Sequence, residues 1–237
     1  MSKFYSIAID GPSGAGKSSL AKRCASAFDF FYADTGAIYR AVGLAALRAG
    51  VDRKSGPAVS ELLPKLDIDL RYNENREQRM FLNGEDISDA IRMPEVSICA
   101  SDVSALPEVR SYLMEMQRYI ARTHHVIMDG RDIGTVVLPD ADLKIFLTAS
   151  AEVRALRRLK ELQEKGIDTD FDSVLRDIQY RDEQDSTRAA APLRRADDAV
   201  LVDTTELNFE ESFAVISQLI LERFFTDPAP AEKETND

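Results

Sequence analysis

Residues 4 to 19 hold the densest chemistry in the chain. A short apolar run, Phe4 to Ile9, breaks into Gly11-Pro12-Ser13-Gly14-Ala15-Gly16-Lys17-Ser18-Ser19, and a helical pattern follows. The spacing is G-x-x-x-x-G-K-[ST], in the strand-to-helix setting that this motif needs. Glycines let consecutive backbone N–H groups turn inward around phosphate oxygens with no Cβ in the way. The N-terminus of the following helix adds partial positive charge. Lys17 offers a mobile cation to the outer phosphates, and the Ser18 hydroxyl can reach Mg²⁺, directly or through water. Together these parts imply binding of a nucleoside triphosphate.

Charge gathers again in three places. Arg154, Arg157 and Arg158 sit three and four residues apart, on one face of a helix. Asp177, Arg181, Asp185 and Arg188 form a stripe at i, i+4, i+8 and i+11. Either set alone reads as a solvated face laced by ion pairs. Beside a phosphate loop, two arginine-rich helices joined by Gly166-Ile167-Asp168-Thr169-Asp170 read as a lid that closes over a transferring phosphoryl group. The third place is Gly130-Arg131-Asp132, after a buried strand: either an ion pair tying the turn to a neighbour, or Arg131 on an acceptor phosphate with Asp132 accepting from a base.

The two histidines, His124 and His125, are adjacent at a strand start and point to opposite faces, so they cannot share a metal, and neither is placed in a catalytic role. An acceptor hydroxyl would profit from a general base, whereas a phosphate, with a second pKa of about 6, needs only positioning and charge neutralisation. The residue set thus favours phosphoryl transfer onto another phosphate.

The elements that must position these residues alternate. Strands are expected at Phe30 to Tyr32, His125 to Met128, Leu143 to Leu147 and Ala199 to Val202, besides the first at Phe4 to Ile9. Helices are expected at Lys17 to Phe28, Ala37 to Ala49, Pro94 to Arg122 with a break at Pro107, Ala151 to Lys165, Phe171 to Arg188 and Phe209 to Phe225. Five short apolar strands separated by helices imply right-handed crossovers and a parallel sheet, with active residues beyond the strand C-termini. Between 60 and 94 the character changes to alternating strands at Asp67 to Tyr72 and Gln78 to Leu82, with Asn83-Gly84 as a two-residue hairpin signal. That stretch reads as a small antiparallel insert. The organisation expected is a core of 1–59, 95–150 and 191–226, an insert of 60–94, a lid of 151–190 and a disordered acidic tail of 227–237.

The net charge of −11 disfavours nucleic acid or an anionic membrane as partner. Of the 30 basic residues 21 are Arg, the side chain that forks phosphate. Cys24 and Cys99 have no metal-ligand spacing and read as reduced and buried. No apolar run is long enough to span a membrane and no secretory signal is visible, so a cytoplasmic location and a monomer are expected.

Four segments carry a closer likeness: Ile9 to Lys17, Asp34-Thr35-Gly36-Ala37-Ile38-Tyr39-Arg40, Asp129-Gly130-Arg131-Asp132-Ile133-Gly134-Thr135-Val136-Val137, and Arg181-Asp182-Glu183 through Arg188-Ala189-Ala190-Ala191-Pro192-Leu193. They resemble the bacterial cytidylate kinases, from about residue 4 to 222. Many members have Gly-Thr where this chain has Ser18-Ser19, many have Ser in place of Thr35, and some have a basic residue in place of Gln184. The resemblance implies a nucleoside monophosphate kinase fold: a five-stranded parallel core, a monophosphate-binding insert and a lid. It implies ATP and Mg²⁺ on the donor side and CMP, with dCMP, as acceptor. By position, Thr35, Arg40, Arg131 and Arg188 would surround the CMP phosphate. Ser101, Arg110 and Asp132 would read cytosine, and Arg181 and Asp185 the sugar. Arg154, Arg157 and Arg158 would approach the ATP phosphates, and Lys17, Arg131, Arg158 and Arg188 would neutralise the transferring group. Three rivals are a kinase for UMP or for a small acceptor such as shikimate, a GTPase-type switch, and a pure nucleotide-binding regulator, which would not turn over with CMP. The switch would need a guanine-reading Asn-Lys-x-Asp segment, which the sequence lacks.

Overall fold

A computed structural model describes residues 4–74 and 77–225; the segment expected as a tail, 227–237, lies outside the described residues. The chain opens with β1 (Ser6–Asp10), α1 (Lys17–Phe28), β2 (Phe31–Asp34) and α2 (Thr35–Ala49), and then the short α3 (Gly56–Leu62). Next come β3 (Ile68–Tyr72), β4 (Gln78–Leu82) and β5 (Glu85–Asp86). Helices α4 (Pro94–Ser104) and α5 (Pro107–Thr123) lead back to β6 (Val126–Gly130) and β7 (Leu143–Thr148). Then follow α6 (Ala151–Glu164), α7 (Phe171–Thr187), β8 (Val200–Asp203) and α8 (Phe209–Phe224).

Five strands form a parallel sheet in the order β2-β6-β1-β7-β8. Ile7, Ala8 and Ile9 of the central β1 are wholly buried, as expected of a strand covered by helices on both faces. The antiparallel sheet β3-β4-β5 lies within 68–86 and packs on α2. Its turn has Asn83 at φ 51° and Gly84 at φ 82°, the two positive values that a tight two-residue hairpin requires. Pro107 starts α5 rather than interrupting one long helix, because Pro fits the first turn, where its missing N–H is not needed.

Boundaries moved where side chains take over backbone bonding. Helix α2 starts at Thr35, two residues earlier than its apolar periodicity suggests, because Asp34 caps it by accepting from the Ala37 N–H at 2.9 Å. Strand β6 runs on through Asp129 and Gly130, whose register continues opposite Ile9 and Asp10. A π-helical turn at Ile133–Val137 follows. Both histidines precede β6: His125 stacks among Phe4, Tyr5 and Phe30, and His124 meets Phe31 from the other side. Both cysteines are free and buried.

Helices α6 and α7 carry their own apolar cluster, Ala155, Val174 and Ile178. The connections after β1, β2 and β6 all open at the same end of the parallel sheet, and this places the chemistry there.

Candidate functional site

The first turn, between β1 and α1, has the shape its glycines allow. Gly11, Gly14 and Gly16 adopt φ of 149°, 77° and 88°, backbone that side chains disfavour. At Gly11 a Cβ would lie 1.9 Å from the Leu147 carbonyl oxygen, so the loop can start only by passing flush against β7. Lys17 is buried and its ammonium donates to the Pro12 carbonyl at 2.7 Å, spanning its own loop. Burial first, and then the nearby Arg131 charge, pull its pKa down to about 7. The negative charge of a bound polyphosphate would oppose both influences.

Two buried aspartates flank this lysine. Asp10, the last residue of β1, accepts from the Ile133 N–H at 2.8 Å and the Gly134 N–H at 2.7 Å. It thereby fixes the turn that carries Arg131 and Asp132. Burial pushes its pKa up to about 6 against those two hydrogen bonds. Asp129 accepts from the Tyr32 hydroxyl at 2.8 Å and from Ser18 Oγ at 2.9 Å, and burial raises its pKa as well. The side chain of Ser18 and the carboxylate of Asp129 are hard oxygen donors, suited to a Mg²⁺ that keeps water and phosphate as its other ligands. Among the described residues, no group of three His, Cys, Asp or Glu could hold a metal alone. This donor set therefore fits an ion that arrives with a nucleotide.

Beyond the loop, five charged side chains form one chain of ion pairs. Arg110 of α5 pairs with Asp132, and Arg188 reaches the other Asp132 oxygen at 3.3 Å. Arg188 also stands 3.9 Å from Asp185, which accepts from Arg131 Nε at 2.7 Å. Burial opposes charge on Arg131 and Asp185, and their mutual attraction outweighs it: Arg131 is pushed further up and Asp185 down. Arg181, beside them, is pulled down by burial and by Arg131. The acidic–basic stripe of α7 thus points from Arg181 onward into the site; only Asp177 remains a solvated surface residue.

Thr35 donates its hydroxyl to the Asp129 carbonyl at 2.8 Å, which places it at the C-terminal end of β6. Arg40 pairs with Asp34 at 2.7 Å, and its Nε is buried without a partner. Arg40 borders a cleft that is lined also by Tyr32, Asp34, Gln78 and Arg92. Ser101 is half-buried on α4, and its carbonyl accepts from Ser104.

The three arginines of α6 do not converge. Arg154 turns into the protein toward Ser13 and Asp182. Arg157 donates to Thr204 and to the Leu207 carbonyl, in the loop after β8, and Arg158 pairs with Glu161. They share a helix but have three different targets. A roomier concavity, about 350 Å³, lies at the other end of α1 among Ala27, Phe28, Leu221 and Phe225, remote from this charge.

Sequence reasoning passed over Asp10, Tyr32 and Tyr39, and gave Asp129, at the start of a candidate segment, no role of its own. A carboxylate closing an otherwise apolar strand was the available signal for Asp10 and Asp129, since such a charge needs a specific partner. Tyr39 is buried with its ring against the Arg110 guanidinium, 5.4 Å from the ring centre. Its position on α2 gave no hint of that neighbour.

The arrangement can seat a polyphosphate on the glycine loop and hold an anionic second substrate among the arginines. The comparisons agree with it. The family model described as cytidylate kinase matches residues 7–222. A protein named cytidylate kinase from Caldicellulosiruptor bescii is 50% identical over 94% of this chain and 96% of its own. One of the same name from Exiguobacterium sibiricum is 50% identical over 92% and 97%. A solved structure of an uncharacterized protein from Eubacterium ventriosum covers 92% of this chain and 99% of its own, at 12% identity and a TM-score of 0.52, a likeness of fold alone. With the family model matched over nearly its whole length, and half its residues shared with those relatives, the chain belongs to the cytidylate kinase family.

Proposed function

We propose that the protein transfers the γ-phosphoryl group of ATP to CMP, and to dCMP, giving ADP and CDP or dCDP. Family membership carries the reaction, and the chain of ion pairs from Arg110 to Arg131 carries the acceptor side.

In this reading the residues 11–19 hold ATP: Gly11, Pro12, Ser13, Gly14, Ala15, Gly16, Lys17, Ser18 and Ser19 wrap the triphosphate, with Lys17 released from the Pro12 carbonyl. Arg157 and Arg158 belong to the same side, and Arg154 lies against the Ser13 carbonyl of the loop. Ser18 and Asp129 would hold Mg²⁺, which would offset the charge that develops on the phosphates. Thr35, Arg40, Arg131 and Arg188 hold the CMP phosphate, Arg181 and Asp185 the sugar, and Ser101, Arg110 and Asp132 the base.

The base-reading assignment follows from donor patterns. Cytosine offers an N4 amino donor where uracil has an acceptor oxygen. The Asp132 carboxylate accepts from that amine, and Arg110 donates to the ring acceptors. Against UMP the same carboxylate would face oxygen, and buried groups left unpaired discriminate strongly. In the free protein these groups are paired with each other through Arg110, Asp132 and Arg188, so binding exchanges one set of charge-assisted bonds for another. Lys17, Arg131, Arg158 and Arg188 surround the transferring group, and closure of 151–190 over it keeps ATP from water. The core of 1–59, 95–150 and 191–226 supplies the phosphate loop, and the insert of 60–94 supplies the wall of the monophosphate cleft.

No helix of the described residues is long and apolar enough to cross a membrane. A cytoplasmic monomer acting on small nucleotides accords with this reading. ADP release from ATP and Mg²⁺, with CMP, dCMP, UMP and AMP offered in parallel, tests it. Rapid turnover with CMP and dCMP and little with UMP is expected. Equal rates with UMP would remove the role of Asp132, and no acceptor dependence would overturn the reaction.

A further inference from the structure

The lid helices and the phosphate loop meet at Ser13, and the meeting runs through one side chain. Arg154 is 5% exposed. Its Nε donates to the Ala149 carbonyl at 2.9 Å, and its Nη1 to the Ser13 carbonyl at 3.0 Å. The same fork grips Asp182 of α7 through both carboxylate oxygens, at 3.0 and 2.6 Å. Of the five N–H donors a guanidinium carries, four therefore end on protein acceptors. The neighbour of Asp182, Arg181, reaches the Ser13 hydroxyl at 3.2 Å. Gly14 fills the space between: a Cβ there would lie 3.1 Å from Arg154 Cβ and 3.5 Å from Ile178 Cδ1.

An arginine so engaged has no fork left for a phosphate. Its contacts tie together three things: the connection from β7 into α6, the helix α7 and one peptide of the phosphate loop. In a trans peptide the carbonyl and the following N–H point in opposite directions. Holding the Ser13 carbonyl therefore fixes the direction of the Gly14 N–H, one of the amides the loop offers to phosphate. Arg158, by contrast, is held among the described residues by an i,i+3 pair with Glu161 on a part-exposed surface, and can swing to a ligand.

We propose that Arg154 is a positioning residue: by gripping Asp182 and the Ser13 carbonyl it sets the phosphate loop for ATP when the lid is seated, and does not itself bind the ATP phosphates. The inference rests on the reading of residues 11–19 as the ATP site.

The test compares wild type with Arg154→Lys, Asp182→Asn, Asp182→Glu and the combined R154K/D182N. Affinity for a non-hydrolysable ATP analogue is measured by calorimetry without acceptor, alongside KM for ATP and CMP. Asp182→Asn and Arg154→Lys are each expected to weaken the analogue and raise KM for ATP about tenfold, the weight of one charge-assisted bond, with KM for CMP within about twofold. The combined variant should be no worse than the poorer single one, because both break the same link. Asp182→Glu, which keeps the charge, should recover part of the ATP affinity. A lowered melting temperature with unchanged ATP affinity in Asp182→Asn would overturn the proposal, as would multiplying effects in the combined variant. If Arg154→Lys does not fold, the two Asp182 variants still decide, since that side chain is 29% exposed. The calorimetric arm needs no turnover, so it stands apart from any failure of the CMP reaction itself.

Discussion

Replacing Asp10 with Asn should flatten the pH dependence of stability and slow the enzyme. Asp10 is 5% exposed, and burial lifts its carboxyl from the ordinary 3.8 to about 6, even after the help of two backbone N–H groups. A raised carboxyl pKa means that the folded state binds the proton more tightly than the unfolded one between those two values. Wild-type stability therefore declines as pH rises through the window from about 4 to 6, and stays lower above it. Asparagine does not titrate and escapes that loss, but it gives up one hydrogen bond, since its amide nitrogen cannot accept from a backbone N–H as the second carboxylate oxygen does. That cost is the same at every pH, so linkage with these two pKa values makes the variant about 2.5 kcal/mol better, relative to wild type, at pH 8 than at pH 4. For a chain of this size 2.5 kcal/mol corresponds to roughly 5–10 °C in melting temperature. Urea unfolding of both proteins at the two pH values, without nucleotide, reads the difference. Turnover should fall, because the same carboxylate holds the Ile133 and Gly134 amides next to Arg131 and Asp132. An Asn variant whose stability differs from wild type by the same amount at both pH values would refute the reasoning.

Other substitutions probe different parts of the site. Gly11→Ala drives a Cβ to 1.9 Å from the Leu147 carbonyl at a φ of 149°; a loss above about 4 kcal/mol is expected in urea titrations, and a wild-type midpoint would contradict it. Asp132→Asn should lower kcat/KM for CMP by about a hundredfold and narrow the CMP-to-UMP ratio; an unchanged ratio in steady-state assays would remove Asp132 from base reading. Burial pushes the Cys24 thiol up to about 12, so iodoacetamide at pH 8 should leave it unmodified in the native protein and label it in denaturant. Peptide mapping by mass spectrometry gives the answer.

The parallel sheet, the small antiparallel sheet and the helices α6 and α7 were legible because each rests on local signals, apolar runs and Asn83-Gly84. The shape of the first loop was legible for the same reason, since its residues are contiguous. What sequence could not supply was the partner of each charge. Arg154, Arg157 and Arg158 look equivalent at spacings of three and four, yet they end on Asp182, Thr204 and Glu161. Which acceptor a guanidinium finds depends on how α7 and the loop after β8 pack, a long-range matter. Asp10 and Asp129 show the same limit. Each is one polar residue closing an apolar strand, and its role appears only when Ile133 or Tyr32 is brought beside it from far along the chain.

Label transfer tests the central claim most directly. With [γ-³²P]ATP and Mg²⁺, the account predicts that radioactivity appears in CDP, at the β-phosphate, when CMP is supplied, and scarcely in UDP when UMP replaces it. Label found only as inorganic phosphate, or transferred equally to CMP and UMP, would contradict it.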